Sequence, residues 1–424
     1  MRIHFLGIGG SGASAAGAIA ESQGFEVTGC DKDIDNEFTT SFKPGQLFEG
    51  HDPKHLENTD ILAITPAITS LDPSNPELKE AKKKGIPVLT WQEFAGEYLA
   101  KDKFVIAVCG THGKTTTTAM IAKILEDADL DPTVLLGAIN PKWKTNYRLG
   151  KSKYFIVEAD EFNDNYLHHF PEISVVTNIE MDHPEYFKDI NAYLDSYEKF
   201  LSQTKQTIVA NLADTNVAEA VKDVMKQSKV SAFDFNKIET NLDLKIPGSH
   251  NILNAKAAFQ VGLLLGINPE VITKSLNNYT GVGRRFEYLG DFNKAKVYSD
   301  FGHHPTEIKK TMIAAREKFP KNKIYLFYQP HMFSRTKALF DDFVNVFKNL
   351  PVDGTVILDI YPSREKDIGL VSSEKLVKAI NKKYVYYAKI LKRQEFEQYA
   401  KPGDILFFMG AGDIDKIARE LVKT

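Results

Sequence analysis

Short apolar runs alternate with amphipathic stretches from one end of the chain to the other. In the first hundred residues the apolar runs predict strands, and the spacing of small and apolar positions between them predicts helices. The predicted strands are 3–6, 26–31, 61–64 and 87–89, and the predicted helices are 11–23, 76–84 and 91–100. Because strands and helices alternate in this block, we expect a parallel sheet joined by right-handed crossovers.

The same alternation continues through two further blocks. The second predicts strands at 104–108, 133–136, 155–157, 173–177 and 207–210, and later helices at 249–266 and 269–278. The third predicts strands at 296–299, 324–327, 355–359, 385–387 and 405–409, with helices at 306–318, 335–350, 373–381 and 413–422. We therefore expect an α/β protein of three domains, 1–103, 104–286 and 287–424. The first and third are expected to be Rossmann-like, and the central one to be of the P-loop ATPase type.

One stretch without charged side chains lies near the start of the chain. Residues 3–20 contain no Asp, Glu, Lys or Arg, but five glycines and two serines interrupt them. Hydrocarbon would bury such a segment only weakly, so we predict a strand, a turn and a helix rather than a signal peptide or a membrane span.

Composition and charge narrow the class of protein. The 424 residues are 43% hydrophobic and 26% charged, which is typical of a folded globular protein. The 53 basic and 56 acidic residues give a net charge of −3, so nothing favours a nucleic acid or an anionic membrane as partner. Two cysteines exclude a disulfide scaffold and a cysteine-rich zinc site, and they fit a reducing compartment. We expect a soluble, cytoplasmic protein.

The first predicted domain opens with a glycine-rich turn between a strand and a helix. Gly7, Gly9, Gly10, Ser11 and Gly12 form the pattern G-x-G-x-x-G, whose backbone can approach a diphosphate. Asp31 ends the next predicted strand, where an acid that binds ribose would sit. An NAD-dependent dehydrogenase is one interpretation. A UDP-sugar fits the turn equally well.

A second loop is more specific. It joins the strand at 104–108 to a helix, and it consists of Gly110, Thr111, His112, Gly113, Lys114 and Thr115, followed by Thr116. Its amides would surround phosphates, Lys114 would reach their charge, and the Thr115 hydroxyl would bind Mg²⁺. The loop is a compact variant, because Val108 stands where the first glycine of the usual pattern belongs.

Candidate magnesium ligands follow two neighbouring predicted strands. Glu158 is the preferred carboxylate, and His183 is a further candidate. Taken alone, His183 is better explained as a loop residue hydrogen-bonded to Asp182. Asp160, Glu161 and Asp164 are expected to be solvated loop charges.

Two nucleotide-type loops on separate domains indicate an enzyme that uses ATP on a substrate already carrying a nucleotide. The sequence also resembles the Mur ligases, the ATP-dependent amino-acid ligases of cell-wall precursor synthesis. The resemblance covers essentially the whole chain, and its motifs occur in the family's order at 7–12, 110–118, 158–161, 178–183, 250–254, 283–286, 300–305, 329–336 and 409–412.

The resemblance implies which residues bind ATP, which bind Mg²⁺ and which are catalytic. ATP would be bound by the phosphate loop together with Asn251, Asn254, Arg285 and Asp300, and Thr115, Glu158 and His183 would organise Mg²⁺. Lys114, His183, Arg285 and Asp300 are the expected catalytic residues. The expected reaction joins L-alanine to the lactyl carboxylate of UDP-N-acetylmuramate through an acyl phosphate.

The candidates for binding the amino acid are His303, His304, His331 and Arg335, with Arg335 as the carboxylate clamp. Lys199 aligns with a lysine that related ligases carbamylate, although a surface helix lysine is an equal alternative. Met332 stands where alanine-adding members usually carry Arg. The alternatives are a ligase that adds a preformed peptide to the same acceptor, an NAD-dependent dehydrogenase, and a non-catalytic nucleotide-binding regulator. The sequence does not specify an oligomeric state.

Overall fold

The computed structural model describes residues 1–363 and 365–423. Its first sheet contains five parallel strands in the order β3-β2-β1-β4-β5. In chain order the elements are β1 (Arg2–Leu6), α1 (Ser11–Ser22), β2 (Glu26–Asp31), β3 (Leu47–Glu49), β4 (Ile61–Ile64), α2 (Pro66–Leu71), α3 (Pro76–Lys84), β5 (Val88–Thr90) and α4 (Trp91–Phe94). A 3₁₀ turn at Pro53–Leu56 precedes β4.

The second sheet has seven strands in the order β12-β11-β10-β6-β9-β7-β8. Its elements are β6 (Phe104–Cys109), α5 (Lys114–Asp127), β7 (Thr133–Asn140), β8 (Thr145–Arg148), β9 (Tyr154–Glu158), β10 (Ile173–Val176), α6 (Ile190–Ser202), β11 (Thr207–Ala210), α7 (Thr215–Gln227), β12 (Ser231–Asp234), α8 (Ser249–Leu264) and α9 (Pro269–Asn277). A 3₁₀ segment, Phe162–His168, follows β9. All its strand pairs are parallel except β7 with β8.

The third sheet has six strands in the order β13-β14-β18-β15-β16-β17. Its elements are β13 (Glu287–Phe292), β14 (Ala295–Asp300), α10 (Pro305–Lys318), β15 (Ile324–Tyr328), α11 (Phe333–Ala338), α12 (Phe340–Asn349), β16 (Gly354–Ile357), α13 (Ser373–Ile380), β17 (Val385–Tyr387), β18 (Ile405–Met409) and α14 (Ile414–Val422). The edge strand β13 is antiparallel to β14, and the other pairs are parallel.

The backbone groups into two compact units. One comprises Met1–Glu180, Ile190–Leu242 and Leu253–Asn278, and it contains the first two sheets. The other comprises Met181–Asp189, Asp243–Ile252 and Tyr279–Thr424, and it contains the third sheet. The central strands of each sheet, β1, β6 and β18, are almost wholly buried, which is typical of parallel sheets covered on both faces.

The predicted alternation of strands and helices is confirmed, and the opening segment is a strand, turn and helix as expected. Within the described residues, no helix is long and apolar enough to cross a membrane. Several details differ from the predictions, and the helices α2 and α7 were not predicted. Four edge or near-edge strands, β3, β8, β12 and β13, were not predicted, because they are short or polar and their burial is partial. The parallel sheet predicted for the first block is confirmed, whereas the second and third sheets each contain one antiparallel pair, at β8 and β13. The helix predicted at 335–350 is two helices, with Leu339 between them.

Candidate active site

The glycine-rich turn joins β1 to α1, where the sequence predicts it. The Gly7 amide donates to the Cys30 carbonyl at 2.8 Å, and the Gly9 amide donates to the Asp31 carboxylate at 2.9 Å. A Cβ on Gly12 would lie 2.2 Å from the Trp91 ring, so only glycine allows α1 to pack against that indole. Asp31 therefore holds the shape of the turn, and its contact with a substrate ribose stays a prediction.

The phosphate loop joins β6 to α5, and its shape is fixed from the end of β10. The amides of Thr111 and His112 both donate to Asn178, to the backbone carbonyl and the side-chain oxygen respectively, each at 3.0 Å. The Asn178 side chain donates back to the His112 carbonyl at 2.9 Å, and the Thr177 hydroxyl donates to the same carbonyl at 2.6 Å. Two neighbouring residues thus brace the first half of the loop.

Asn254, from α8, lies against the second half of the loop. Gly113 has a φ of +86°, and a Cβ placed on it would come within 2.5 Å of Asn254 Oδ1. Asn254 is almost fully buried. The structure therefore brings Asn254 to the phosphate loop, as the family resemblance implies.

Lys114 begins α5 and is surrounded by oxygen atoms. Its ammonium lies 2.8 Å from both carboxylate oxygens of Glu161 and 2.7 Å from the Gly110 carbonyl. Burial alone would lower the pKa of Lys114, but the negative charges of Glu161, Asp160 and Glu158 outweigh it and raise that pKa well above its usual value. Lys114 is therefore held as a cation.

The expectation that Glu161 is a solvated loop charge is wrong. Glu161 is fully buried, and the Tyr193 hydroxyl of α6 donates to it at 3.2 Å. Asp164 is also ordered by contacts, because the Ser196 hydroxyl donates to its carboxylate. Both partners lie on the buried face of α6, some thirty residues downstream, so the local sequence gives no sign of them.

The predicted magnesium ligands Thr115 and Glu158 are brought together. The Thr115 hydroxyl donates to Glu158 Oε1 at 2.8 Å, and the Gly137 amide donates to the other oxygen of that carboxylate at 2.8 Å. A hydroxyl and a carboxylate are hard oxygen donors of the kind that Mg²⁺ prefers. With Glu158, Asp160 and Glu161 acting on Lys114, this end of the sheet carries more negative than positive charge. The residues present fit a divalent cation.

The structure shows the surroundings of two further candidate residues, His183 and Lys199. The His183 amide donates to Asp182 at 2.7 Å, and its Nδ1 lies 3.4 Å from Glu185. The loop-residue alternative is thus observed, and a role for His183 in holding Mg²⁺ stays a prediction. Lys199 is exposed on α6, whose buried face carries Tyr193 and Tyr197. Its carbamylation also stays a prediction.

In the second unit, Asp300 organises the segment that enters the third sheet. It is buried, and its carboxylate accepts from the amides of Phe286 and Gly302 at 2.9 and 2.8 Å. Burial raises the pKa of Asp300, although the charge of Arg285 opposes that shift.

Two consecutive arginines lie beside that segment. The guanidinium groups of Arg284 and Arg285 both lie over the Phe301 ring, at 4.8 and 4.9 Å. Arg284 also donates to the Gly410 carbonyl at 2.6 Å, so it is held by contacts within the third sheet's unit. Asn251, at the start of α8, donates to the Pro247 carbonyl at 2.7 Å.

The four candidate residues for binding the amino acid make different contacts. Arg335 is 2% exposed and donates to Asp182 at 3.0 Å, while its other end lies 3.2 Å from His331 Nδ1. The His303 and His331 rings are 5.7 Å apart. His304 instead caps α10, where its Nδ1 accepts the Thr306 amide. Three of the four are thus gathered, together with Asp182, which the sequence offered only as a loop cap.

The charges of this cluster influence one another. Burial would raise the pKa of Asp182, but His183, Arg335, His303 and His304 lower it far below its usual value. Burial, with the charge of Arg335, lowers the pKa of His303 to about 3, so His303 is neutral near pH 7.

Lys114, Thr115 and Glu158 are arranged to receive phosphate and a hard cation, which is typical of enzymes that use ATP. Family models match three consecutive parts of the chain. They are the Mur ligase family catalytic domain at residues 2–103, the Mur ligase middle domain at 108–237 and the Mur ligase glutamate ligase domain at 284–412.

Individual relatives and solved structures are similar to this chain over nearly its whole length. The chain is 39% identical to UDP-N-acetylmuramate–L-alanine ligase of Clostridium acetobutylicum, over 98% of this chain and 96% of that one. The crystal structure of UDP-N-acetylmuramate–alanine ligase from Thermotoga maritima superposes with a TM-score of 0.79 at 27% identity, covering 100% of this chain and 98% of that one. A murein peptide ligase from Psychrobacter arcticus shares the fold, with a TM-score of 0.72 at 22% identity, covering 99% and 98%.

The chain belongs to the Mur ligase family. The predicted fold class and enzyme class are thereby confirmed, and the dehydrogenase and non-catalytic alternatives are set aside.

Proposed function

We propose that this enzyme joins L-alanine to the lactyl carboxylate of UDP-N-acetylmuramate, with ATP as the activating substrate, in peptidoglycan precursor synthesis. The observation that carries the proposal is the 39% identity, over 98% of the chain, to a relative named for that reaction. A carboxylate resists attack by an amine because it is anionic and has a poor leaving oxygen. Transfer of the γ-phosphoryl group of ATP to that oxygen makes an acyl phosphate, which the amine of alanine attacks with loss of phosphate.

The residues around the second loop support ATP binding there. Lys114 is held as a cation at the start of α5, where helix amides and a positive partial charge favour phosphate. Its contact with Glu161 keeps the ammonium in place until phosphate oxygens compete for it. Asn254, Arg285, Asp300 and Asn251 are proposed to complete the nucleotide site.

Thr115 and Glu158, with His183, would hold Mg²⁺. When bound, the ion neutralises charge on the phosphates. Thr115 and Glu158 already share a hydrogen bond, so the donor atoms are positioned before a cation arrives.

We propose that the three sheets are the cores of three domains, 1–103, 104–286 and 287–424, and that UDP-N-acetylmuramate binds at the turn of the first. The turn offers Gly7, Gly9, Gly10, Ser11 and Gly12 around the start of α1, with Asp31 behind it. The free cysteines and nucleotide substrates support a cytoplasmic location.

We propose that the cluster of His303, His331 and Arg335 binds alanine. Arg335 would exchange its partner Asp182 for the carboxylate of the amino acid, and neutral His303 can accept a hydrogen bond from the amine.

The test is a substrate panel. Purified protein with ATP, Mg²⁺ and UDP-N-acetylmuramate is given each amino acid in turn, or the tripeptide, and phosphate release is measured with the amide product. We expect alanine-dependent release and one amide per phosphate. Faster turnover with the tripeptide would replace the proposal by a peptide-adding ligase. Phosphate release without any amide product would overturn the ligase reaction itself.

A further inference from the structure

A group of metal-binding side chains lies in the first sheet, beside the glycine-rich turn but sharing no residue with it. His4 in β1, Cys30 in β2, His55 in the 3₁₀ turn and Glu77 in α3 each present one donor atom. All four atoms lie within 4.8 Å of one another. Ligand atoms around a tetrahedral Zn²⁺ are about 3.5 Å apart, given bonds of 2.0–2.3 Å. Small side-chain movements would close the set.

The contacts inside the group centre on Glu77. Its carboxylate accepts from Cys30 Sγ at 3.1 Å, lies 3.0 Å from His55 Nδ1 and lies 3.3 Å from His4 Nε2. Glu77 is fully buried, and so are Cys30 and His4. The Asp52 amide also donates to this carboxylate at 3.1 Å. Burial of a carboxylate is costly unless hydrogen bonds or a positive charge compensate it.

His4 supplies the observation that points to a ligand. Within residues 1–363 and 365–423, its Nε2 is buried and makes no hydrogen bond of proper geometry, although it is aimed at Glu77. Its Nδ1 lies 2.9 Å from the Thr28 hydroxyl, which fixes the ring so that Nε2 points inward. A metal-bound histidine has this arrangement, one nitrogen on the ion and the other hydrogen-bonded to an orienting group.

The other histidine ring is also fixed. His55 stacks on Phe48 with ring centroids 4.5 Å apart and planes 12° apart. His51 adds a further imidazole at the edge, with Nδ1 3.4 Å from Cys30 Sγ. The group is therefore preorganised by neighbours that are not themselves needed as ligands.

We propose that His4, Cys30, His55 and Glu77 form a closed, structural Zn²⁺ site in the N-terminal domain. One thiolate, two imidazoles and a carboxylate are a typical tetrahedral zinc set, and they are softer donors than the Thr115 and Glu158 oxygens suited to Mg²⁺. Because four protein ligands would fill the coordination sphere, the ion would link β1, β2 and α3 rather than activate a substrate. Metal binding would release the Cys30 thiol proton to solvent, since the thiolate is the ligand.

The contacts of the Cys30 thiol and of the Glu77 carboxylate are consistent with this assignment. The Cys30 thiol donates to the Glu77 carboxylate at 3.1 Å. The Glu77 carboxylate also lies 3.3 Å from His4 Nε2 and 3.0 Å from His55 Nδ1. Glu77 is thus placed to share a cation with the three other side chains.

The experiment uses the full chain, freed of metal by chelation and then given excess Mg²⁺ to saturate the hard-donor site. Co²⁺ is titrated as the probe, and the visible and near-ultraviolet spectrum is recorded. We expect one equivalent to bind with the intense visible bands of tetrahedral Co²⁺ and a thiolate-to-cobalt charge-transfer band. Zn²⁺ should displace it, with release of one proton per ion when it binds the metal-free protein.

Matched variants identify the ligands. Cys30→Ser should abolish the charge-transfer band, whereas Cys109→Ser, at the other buried cysteine, should keep it. Because Cys30→Ser changes a fully buried side chain, His55→Gln, near the edge of the group, is a second variant. It should weaken Zn²⁺ binding by more than about 100-fold, the upper range for loss of an outer-shell partner. The proposal is overturned by absence of stoichiometric tetrahedral Co²⁺ in the wild type, or by equal binding in folded His55→Gln.

Discussion

The Lys114 ammonium lies 2.8 Å from each oxygen of the Glu161 carboxylate, and both side chains are buried or nearly so. Glu161→Gln removes the charge while keeping the shape, which leaves a buried cation with weaker partners. We expect the free energy of unfolding to fall by about 3 kcal/mol, as when one partner of a buried ion pair is removed. Denaturant unfolding measures it. Asp223→Asn, which breaks an exposed pair with Lys226, should leave the transition unchanged.

Replacement of Lys114 by alanine tests the assigned phosphate role. We expect turnover to fall by more than about 1000-fold, because positioning and charge stabilisation supply most of phosphoryl-transfer catalysis. Binding of UDP-N-acetylmuramate, measured calorimetrically without ATP, should stay nearly unchanged. Retained turnover in Lys114→Ala would contradict the assignment.

The partner exchange proposed for Arg335 predicts a selective kinetic change. Arg335→Lys keeps the charge but loses the bidentate fork, so KM for L-alanine should rise by about tenfold or more. KM for UDP-N-acetylmuramate should change little. Arg316→Lys is the control, because Arg316 pairs with Asp353 elsewhere in the same domain. Equal increases in both KM values for Arg335→Lys would indicate a general structural effect instead.

The buried imidazole of His169 predicts a pH dependence of stability. Burial, with a smaller effect of His168, lowers the pKa of His169 to about 4. Between about pH 6.5 and pH 4 the unfolded chain binds the proton and the folded chain does not, so stability falls as the pH is lowered, by about 3 kcal/mol in total. In His169→Gln, the unfolding free energy should depend less steeply on pH in this window. His168→Gln, at a partly exposed neighbour, should retain the wild-type slope.

The contact between Gly12 and Trp91 predicts a local packing requirement. Gly12→Ala places a Cβ 2.2 Å from the indole, so α1 or the ring must shift, and we expect a loss of about 2 kcal/mol in thermal unfolding. Gly10→Ala is the comparison, because its Cβ would lie 3.5 Å from the Gly7 carbonyl, an ordinary contact. If both substitutions have the same effect on thermal unfolding, the steric explanation is wrong.

Local patterns in the sequence predict the two loops and the central strands well. Gly7–Gly12 and Gly110–Thr115 are recognisable because each needs small residues at fixed spacing between a strand and a helix. Thr115 and Glu158 were paired correctly because parallel strands end at one edge of the sheet. The edge strands β8 and β13 were missed, since polar sequences on sheet edges lack the apolar run that marks a buried strand.

Roles set by distant contacts were not predictable in the same way. Glu161 reads locally as a loop acid, and only α6 and Lys114 make it a buried counter-ion. Asp182 reads as a cap for His183, yet it also pairs with Arg335, which is 153 residues away in sequence. The break between α11 and α12 occurs at Leu339, and no glycine or proline there marks it in the sequence.

The brace that Asn178 gives to the phosphate loop restricts where an anion can be received. Because the amide hydrogens of Thr111 and His112 already point to Asn178, a triphosphate bound at this loop would be held by the amides that begin at Gly113 rather than by these two. The loop lacks the first glycine of the usual pattern, and correspondingly fewer of its amides would contact phosphate. Loss of Asn178 would loosen the loop without touching the nucleotide.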